Sequence, residues 1–283
     1  MESLFNLHTH CHYCDGIDEP EAYIKAALEA GFHTLGFSSH APVPFKNNFA
    51  IQDRDFLQAY AHEIRELKKK YRHRINIFLG LELDYISGIS GDFEKYRQEF
   101  SLDYTIGSVH LVRNHQHHDL WFIDGPKLES FDNGLSEIFG GDIRKAVTAY
   151  YAQVDEMLIR EKPDILGHFD KVKMHNRNRY FREDERWYRS RVIETLEVIR
   201  HTGVIVEINT RGIYKKRSQD LYPGQWVLEE MLKMKIPITL SADAHHPSEI
   251  NGYYPETMEI LKKVGFRSLM CLTPQGWSEK VIL

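Results

Sequence analysis

Ile75-Asn76-Ile77-Phe78-Leu79-Gly80-Leu81-Glu82-Leu83-Asp84-Tyr85 reads as a strand, and the charge-rich stretch before it, 53–71, reads as a helix. Glu82 and Asp84 lie two positions apart and so share one strand face. The same alternation continues outward in both directions. Toward the N-terminus come a strand over 34–38, a helix over 19–30 and an extended apolar segment over 4–7. The helix over 19–30 has Asp18 as a cap, Pro20 in its first turn, Glu21 completing a capping box and Gly31 after its end. Toward the C-terminus come a short helix over 92–100, a strand over 104–112, two helical patterns over 127–139 and 143–161, and a strand over 164–169. A helix over 184–201 ended by Gly203, a strand over 204–209, a helix over 225–234, a strand over 237–241 and a helix over 254–264 follow, with a last candidate strand over 268–272. The stretch 113–126 reads as a loop, and 171–182 as a basic stretch with two aromatics, Tyr180 and Phe181. Repeated βα alternation predicts a parallel sheet, closed at this size into a barrel of seven or eight strands, with a doubly wound open sheet as the alternative. A barrel of 283 residues is routine, so residues 1–283 are read as a single domain.

Composition narrows the function. Apolar residues at 42% and charged residues at 27% exclude disordered and collagen-like chains. A net charge of −5 gives no basic excess to attract nucleic acid, so no nucleic-acid partner is expected. Three cysteines, Cys11, Cys14 and Cys271, cannot build a disulfide framework, which points to a reducing compartment and a cytoplasmic location. Residues 1–8 show no charged n-region and no apolar h-region, so no signal peptide is expected. No apolar run approaches the roughly 20 residues of a membrane span.

What stands out is the 16 histidines and where they fall. Function in a βα fold gathers at the carboxyl ends of the strands. Those ends carry His8 and His10, His40, Glu82 with Asp84, His110, His168 with Asp170, and Asp243 with His245. Alternation puts His8 and His10 on one face, and likewise Asp243 and His245. Neutral imidazole and carboxylate are the usual ligands of zinc, manganese and iron. Six strand ends converging on one mouth offer more ligands than one four-coordinate ion needs, so two or three divalent metals are expected. His12 and His246 fall on the opposite face, His115, His117 and His118 lie in the polar loop, and His33, His62, His73, His175 and His201 sit on helices or turns; all are left outside the ligand set, as are Cys11 and Cys14.

The chain resembles the PHP (polymerase and histidinol phosphatase) family of metal-dependent phosphoesterases, and within it the histidinol-phosphatase branch. The segments that carry the resemblance are His8-Thr9-His10, 35–42 ending in Ser39-His40-Ala41-Pro42, 80–85, Gly107-Ser108-Val109-His110, 165–170, Val206-Glu207-Ile208-Asn209-Thr210 and Ser241-Ala242-Asp243-Ala244-His245. The resemblance implies an α/β fold, a distorted (β/α)7 TIM-like barrel, and a trinuclear site. By it His8, His10, Glu82 and Asp243 hold the first metal; Glu82 bridges to a second completed by His110 and His168; Asp15, His40 and His245 hold the third. Asp15 lies in a stretch, 13–16, that also reads as a plain turn, and Glu82 is chosen over Asp84 by the resemblance alone.

The expected activity is hydrolysis of L-histidinol phosphate to L-histidinol and phosphate, in histidine biosynthesis. A hydroxide shared by two metals, Zn, Fe or Mn, attacks phosphorus in line, with Glu82, Asp243 and His245 at the catalytic step. Counting Glu82, Asp243 and Asp15 as the site's carboxylates, three divalent ions balance a phosphate dianion and one hydroxide. Arg211 and Lys215 after one strand, and Lys171 and Lys173 after another, are the candidates for holding the phosphate; Asp170 and Glu207 are candidates for orienting ligand imidazoles. The expected partner is a small-molecule phosphate monoester, with no membrane; oligomeric state stays open. The alternatives are a phosphoesterase of the same family acting on nucleotides, nucleic acid ends or phosphotyrosine, an amide-cleaving metal barrel, and a metal-binding subunit without activity.

Overall fold

The computed structural model describes residues 4–282. The strands are β1 (Leu4–Asn6), β2 (Phe32–Phe37), β3 (Asn76–Asp84), β4 (Tyr104–Ser108), β5 (Leu111–Arg113), β6 (Leu120–Phe122), β7 (Ile165–Leu166), β8 (Ile205–Asn209), β9 (Ile238–Ser241), β10 (Ser268–Thr273) and β11 (Gly276–Val281). The α-helices are α1 (Pro20–Glu29), α2 (Arg54–Tyr71), α3 (Phe93–Glu99), α4 (Leu128–Phe139), α5 (Ile143–Arg160), α6 (Arg186–Thr202), α7 (Arg211–Tyr214), α8 (Gln225–Lys233) and α9 (Tyr254–Val264).

Among the described residues, seven strands form one parallel sheet in the order β1-β2-β3-β4-β7-β8-β9. The sheet curls until its ends meet. Just past β1 and β9, His10 N donates to Ala244 O at 2.8 Å and Ala244 N donates to His8 O at 3.1 Å. The result is a nearly closed barrel, and the hydrogen bonds that join its edges run through the histidine segment itself. The eighth candidate strand is not part of it: β10 pairs antiparallel with β11 in a separate hairpin. The predicted loop over 113–126 likewise contains most of a hairpin, β5 against β6, whose turn carries His115, His117 and His118. His33 stands on β2, exposed, and not on a helix or turn.

Helices cover the barrel because their apolar residues recur every three or four positions. In α2 the buried side is Leu57, Tyr60, Ala61, Ile64, Leu67 and Tyr71. Asp53 caps this helix, accepting from the backbone N–H of Asp55 at 2.9 Å and of Phe56 at 3.0 Å. The capping box expected for α1 does not form: Glu19 occupies the cap position without a side-chain bond. Glu21 instead accepts from Tyr71 Oη at 2.6 Å and Lys70 Nζ at 2.9 Å on α2, a tertiary pairing that outcompetes the local one. The barrel interior below the histidines is filled by Tyr104. Its hydroxyl donates to Leu7 O at 2.5 Å, and a Cβ at Gly80 would sit 2.5 Å from its ring, so only glycine fits there. None of the helices among the described residues is long and apolar enough to cross a membrane.

Candidate active site

The side chains singled out at the strand ends do meet in one cup. Its centre is Glu82 near the end of β3, 1% exposed and ringed by imidazoles. His8 Nε2 lies 3.0 Å and His10 Nε2 3.2 Å from Glu82 Oε2, while His168 Nε2 lies 2.9 Å from Oε1. His40 Nδ1 and His110 Nε2 complete the ring at 3.4 and 3.6 Å. Ser108 Oγ donates to Glu82 Oε1 at 2.6 Å. Asp243 Oδ1 lies 3.5 Å from His10 Nε2 and 3.4 Å from His245 Nδ1. Asp15 reaches in from the loop after β1, with Oδ1 3.2 Å from His245 Nε2 and 3.6 Å from His10 Nδ1.

These atoms fall into three overlapping groups whose candidate ligand atoms lie within 4.8 Å of one another: His8, His10 and Asp243; His40, Glu82 and His110; His10, Asp15, His40 and His245. His168 is in none of them, but it touches both Glu82 and His110, its Nε2 3.1 Å from that of His110. A fourth group, His12, Glu19 and Glu63, is outside the cup and largely exposed.

The donor set fits divalent transition metals. It is made of imidazole and carboxylate, and its atoms are packed too closely for one ordinary hydrogen-bond network. His10 Nε2 and His168 Nδ1 are buried without a directed hydrogen bond, a costly condition for polar atoms. The electrostatics show a cup whose buried acids call for positive charge, which protonated imidazoles or a bound cation can supply. Burial and the neighbouring imidazoles, His245 foremost, push His10 down to about 3, so it is neutral and ready to ligate. Burial works against a charged His40, but Glu82 and Asp84 overcome it and raise its pKa to about 10. Burial also disfavours the carboxylates, yet the imidazoles, His40 and His8 first, hold Glu82 well below the usual range.

A second layer of acids fixes the rings. Glu207 on β8 accepts from His8 Nδ1 at 2.5 Å and from the backbone N–H of His168 at 2.8 Å. Asp84 accepts from His40 Nδ1 at 3.1 Å and from His110 Nδ1. Such partners select the tautomer and orientation of a ligand imidazole. Glu207 therefore stands where expected and Asp84 takes the same role. Asp170 does not: its carboxylate turns to Lys173 Nζ at 2.7 Å and the backbone N–H of Gly224 at 3.0 Å, away from the cup. Cys14 is closer than expected, with Sγ 3.4 Å from His10 Nδ1. Asp243 has φ 52°, a left-handed conformation that aims its carboxylate into the cup at a small cost in strain.

A cleft of about 230 Å³ opens above the cup, lined by Asp15, His40, Glu82, His110, Asp243 and His245, and also by Asp124, Lys171, Arg211 and Arg217. Lys171 and Arg211 are thus at the site. Lys173 and Lys215 are not. Lys173 belongs to a 3₁₀ turn, where residues two apart point in different directions, so it diverges from Lys171. Lys215 is spent on Glu249 Oε1 at 2.6 Å. The charge count based on three carboxylates is also incomplete, because Asp84 and Glu207 are buried, and Asp124 half-buried, beside the same imidazoles. Sequence reasoning missed Arg217, which sits in an irregular polar stretch with no periodicity to mark it.

Fold and site together define a parallel α/β barrel that presents a multi-ion cup of histidines and acids at its strand ends. The chain belongs to the PHP domain family, which its residues 6–211 match. It is 28% identical over 268 residues to the histidinol-phosphatase of Bacillus subtilis, covering 89% of this chain and 97% of that one. Its fold is that of a Listeria monocytogenes protein of known crystal structure, with a TM-score of 0.77, 22% identity and coverage of 89% of this chain and 99% of the other. It is also similar to the Lactococcus lactis histidinol phosphate phosphatase crystallised with zinc, L-histidinol and phosphate, with a TM-score of 0.66, 20% identity and coverage of 97% and 98%.

Proposed function

We propose that this chain is a metal-dependent phosphomonoesterase that hydrolyses L-histidinol phosphate to L-histidinol and phosphate. In this reading residues 1–283 act as one domain, in the cytoplasm, at a step of histidine biosynthesis. The observation that carries it is the cup: three ligand groups overlapping around Glu82, beneath a cleft that also holds Lys171, Arg211 and Arg217. The names of the relatives support the choice of substrate.

His8, His10, Glu82 and Asp243 would hold one ion, Glu82 with His110 and His168 a second, and Asp15, His40 and His245 a third. Zinc, iron or manganese suits these donors. Bound there, such ions supply Lewis acidity, drawing charge from the phosphate and making water nucleophilic near neutral pH. The chain's own residues do the rest. Glu207 and Asp84 keep Nδ1 of His8 and of His110 occupied, which turns Nε2 of each toward Glu82. Lys171, held by Asp124 Oδ2 at 2.9 Å, and Arg211, held by the backbone oxygen of Asp243 at 2.7 Å, set positive charge along the cleft wall. Glu82, Asp243 and His245 line the cleft, where they would border the reacting phosphate.

The test is phosphate release from L-histidinol phosphate beside a panel of nucleoside monophosphates, 5′-phosphorylated oligonucleotides and a phosphotyrosine peptide. Each is run with and without chelator, with a metal count on the same sample. L-Histidinol phosphate is expected to be turned over fastest, and chelator to abolish turnover. A His8→Ala variant that kept both its metal content and its turnover would remove the site assignment.

A further inference from the structure

An imidazole that holds an ion through one nitrogen has its tautomer and orientation set by what the other nitrogen bonds to. In the cup most of those second nitrogens meet oxygen. Nδ1 of His8 bonds to Glu207, Nδ1 of His40 and of His110 to Asp84, and Nδ1 of His245 lies 3.0 Å from the backbone oxygen of Asp243. His10 differs. Its Nδ1 lies 3.4 Å from Cys14 Sγ, a hydrogen-bonding distance for sulfur, while its Nε2 is buried without a directed hydrogen bond. Asp15 Oδ1 is farther from that Nδ1, at 3.6 Å, and nearer to His245 Nε2, at 3.2 Å.

The loop after β1 holds the thiol in that place. Cys14 N donates to Cys11 O at 3.0 Å, which closes a turn, and His12 N donates to Asp18 O at 3.0 Å. Gly16 lies against the backbone of Cys11: a Cβ there would sit 2.4 Å from Cys11 N, so the loop folds back this tightly only with glycine. Tyr13 Oη donates to Glu63 Oε2 on α2 at 2.9 Å and ties the loop to that helix. Cys14 and Asp15 thus reach two neighbouring imidazoles from adjacent positions. The other thiol of the loop, Cys11, is fully buried and pairs with Ser39 Oγ at 3.4 Å. A thiol also suits the place by charge. Glu82, Asp84, Glu207 and Asp243 already crowd the imidazoles, and sulfur accepts a hydrogen bond without bringing a further carboxylate.

We propose that Cys14 is a positioning residue for His10: its sulfur accepts the hydrogen bond of Nδ1–H, which fixes the tautomer and leaves Nε2 free to hold an ion. This rests on the reading of the cup as an ion site. The experiment loads wild type, Cys14→Ala, Cys14→Ser and Cys11→Ala with zinc. It measures zinc retained per chain against a graded chromogenic chelator, and the melting temperature of each metal-free protein. Cys14→Ala is expected to release zinc at about tenfold lower chelator, the low end of the loss for partners of a ligand imidazole because sulfur accepts weakly. Cys14→Ser, whose hydroxyl can take the same bond, is expected to stay within about twofold of wild type. Cys11→Ala is expected to melt lower when metal-free, through lost packing, and to retain zinc within about twofold of wild type. Unchanged retention in Cys14→Ala, in a wild type that binds zinc, would overturn this assignment alone. So would a Cys14→Ser that releases zinc as readily as Cys14→Ala, or a Cys11→Ala that does, since either makes the effect one of packing in the loop. A wild type that binds no zinc would overturn the ion-site reading and this inference with it.

Discussion

The two ends of the barrel interior are built on opposite terms. Below the cup, Tyr104 lies across the glycines at 36 and 80, its hydroxyl bonded to Leu7 O and Phe37 O, among the buried apolar residues Leu7, Phe37 and Ile106. One residue further along the first strand, the interior turns to charge: His8 and His10 are fully buried beside Glu82, Glu207 and Asp243. The first arrangement lowers the free energy of the fold through close packing and satisfied polar groups. The second works against it, because buried acids and imidazoles must be desolvated and Asp243 is held in a left-handed conformation. Stability resides in the lower layer and is spent in the upper, so substitutions in the two layers should fail differently.

Glu82→Ala should give the largest effect. It removes the one carboxylate touching five imidazoles, and turnover is expected to fall on the order of 10³-fold or more, beyond the 10–100-fold typical of residues that only orient ligands. Metal per chain falls with it, and chelator no longer lowers the melting temperature as it does for wild type, where bound ions stabilise the native state. Retained metal and turnover would show that the upper layer is not an ion site. Tyr104→Ala is the converse. It should cost about 3–5 kcal/mol in urea unfolding, as for other large buried rings, while the folded fraction keeps its metal stoichiometry. If Tyr104→Ala stripped the metals from folded protein, the two layers would not be separable. Glu207→Gln should fall between: metal affinity drops about 10–100-fold, read by competition with a chromogenic chelator, while the barrel stays folded.

The legible part of the site was the part written in strand periodicity. His8 and His10 share a face because strand side chains alternate, and that alternation persists just past β1; Asp243 and His245 also meet, but through the left-handed turn at Asp243 and not by alternation. The parallel barrel was legible for the same reason, whereas the β10–β11 hairpin was not, since an isolated apolar run does not say which partner it will take. Function inside the cup was only half visible. Glu82 and Asp84 share a face, and nothing in the sequence tells the acid that meets the ions from the acid that steadies His40 and His110. The cations were least legible, because they lie where the chain leaves regular structure. Lys171 and Lys173 part company in a 3₁₀ turn. Arg211 and Lys215, four apart around a single helical turn, converge on Glu249. Arg217, beyond both, follows a left-handed turn at Lys216 that no sequence period announces.

The smallest expected effect lies outside both layers and calibrates them. Glu21 on α1 binds Tyr71 Oη and Lys70 Nζ on α2, but its side chain is 30% exposed, so water screens the pair. Glu21→Gln should therefore cost about 0.2–1 kcal/mol in urea unfolding. The hydrogen bond from Tyr71 and then that from Lys70 hold the Glu21 carboxyl at about 2, below its ordinary 4.5. A group with a depressed folded pKa stabilises fully above its unfolded value and loses that contribution as pH falls through the folded one. The difference between wild type and Glu21→Gln should thus be complete above about pH 5 and shrink toward pH 2, and it should also shrink with added salt. A difference well above 1 kcal/mol, or one that grew on acidification, would mean that the outer helices share the strain assigned here to the cup.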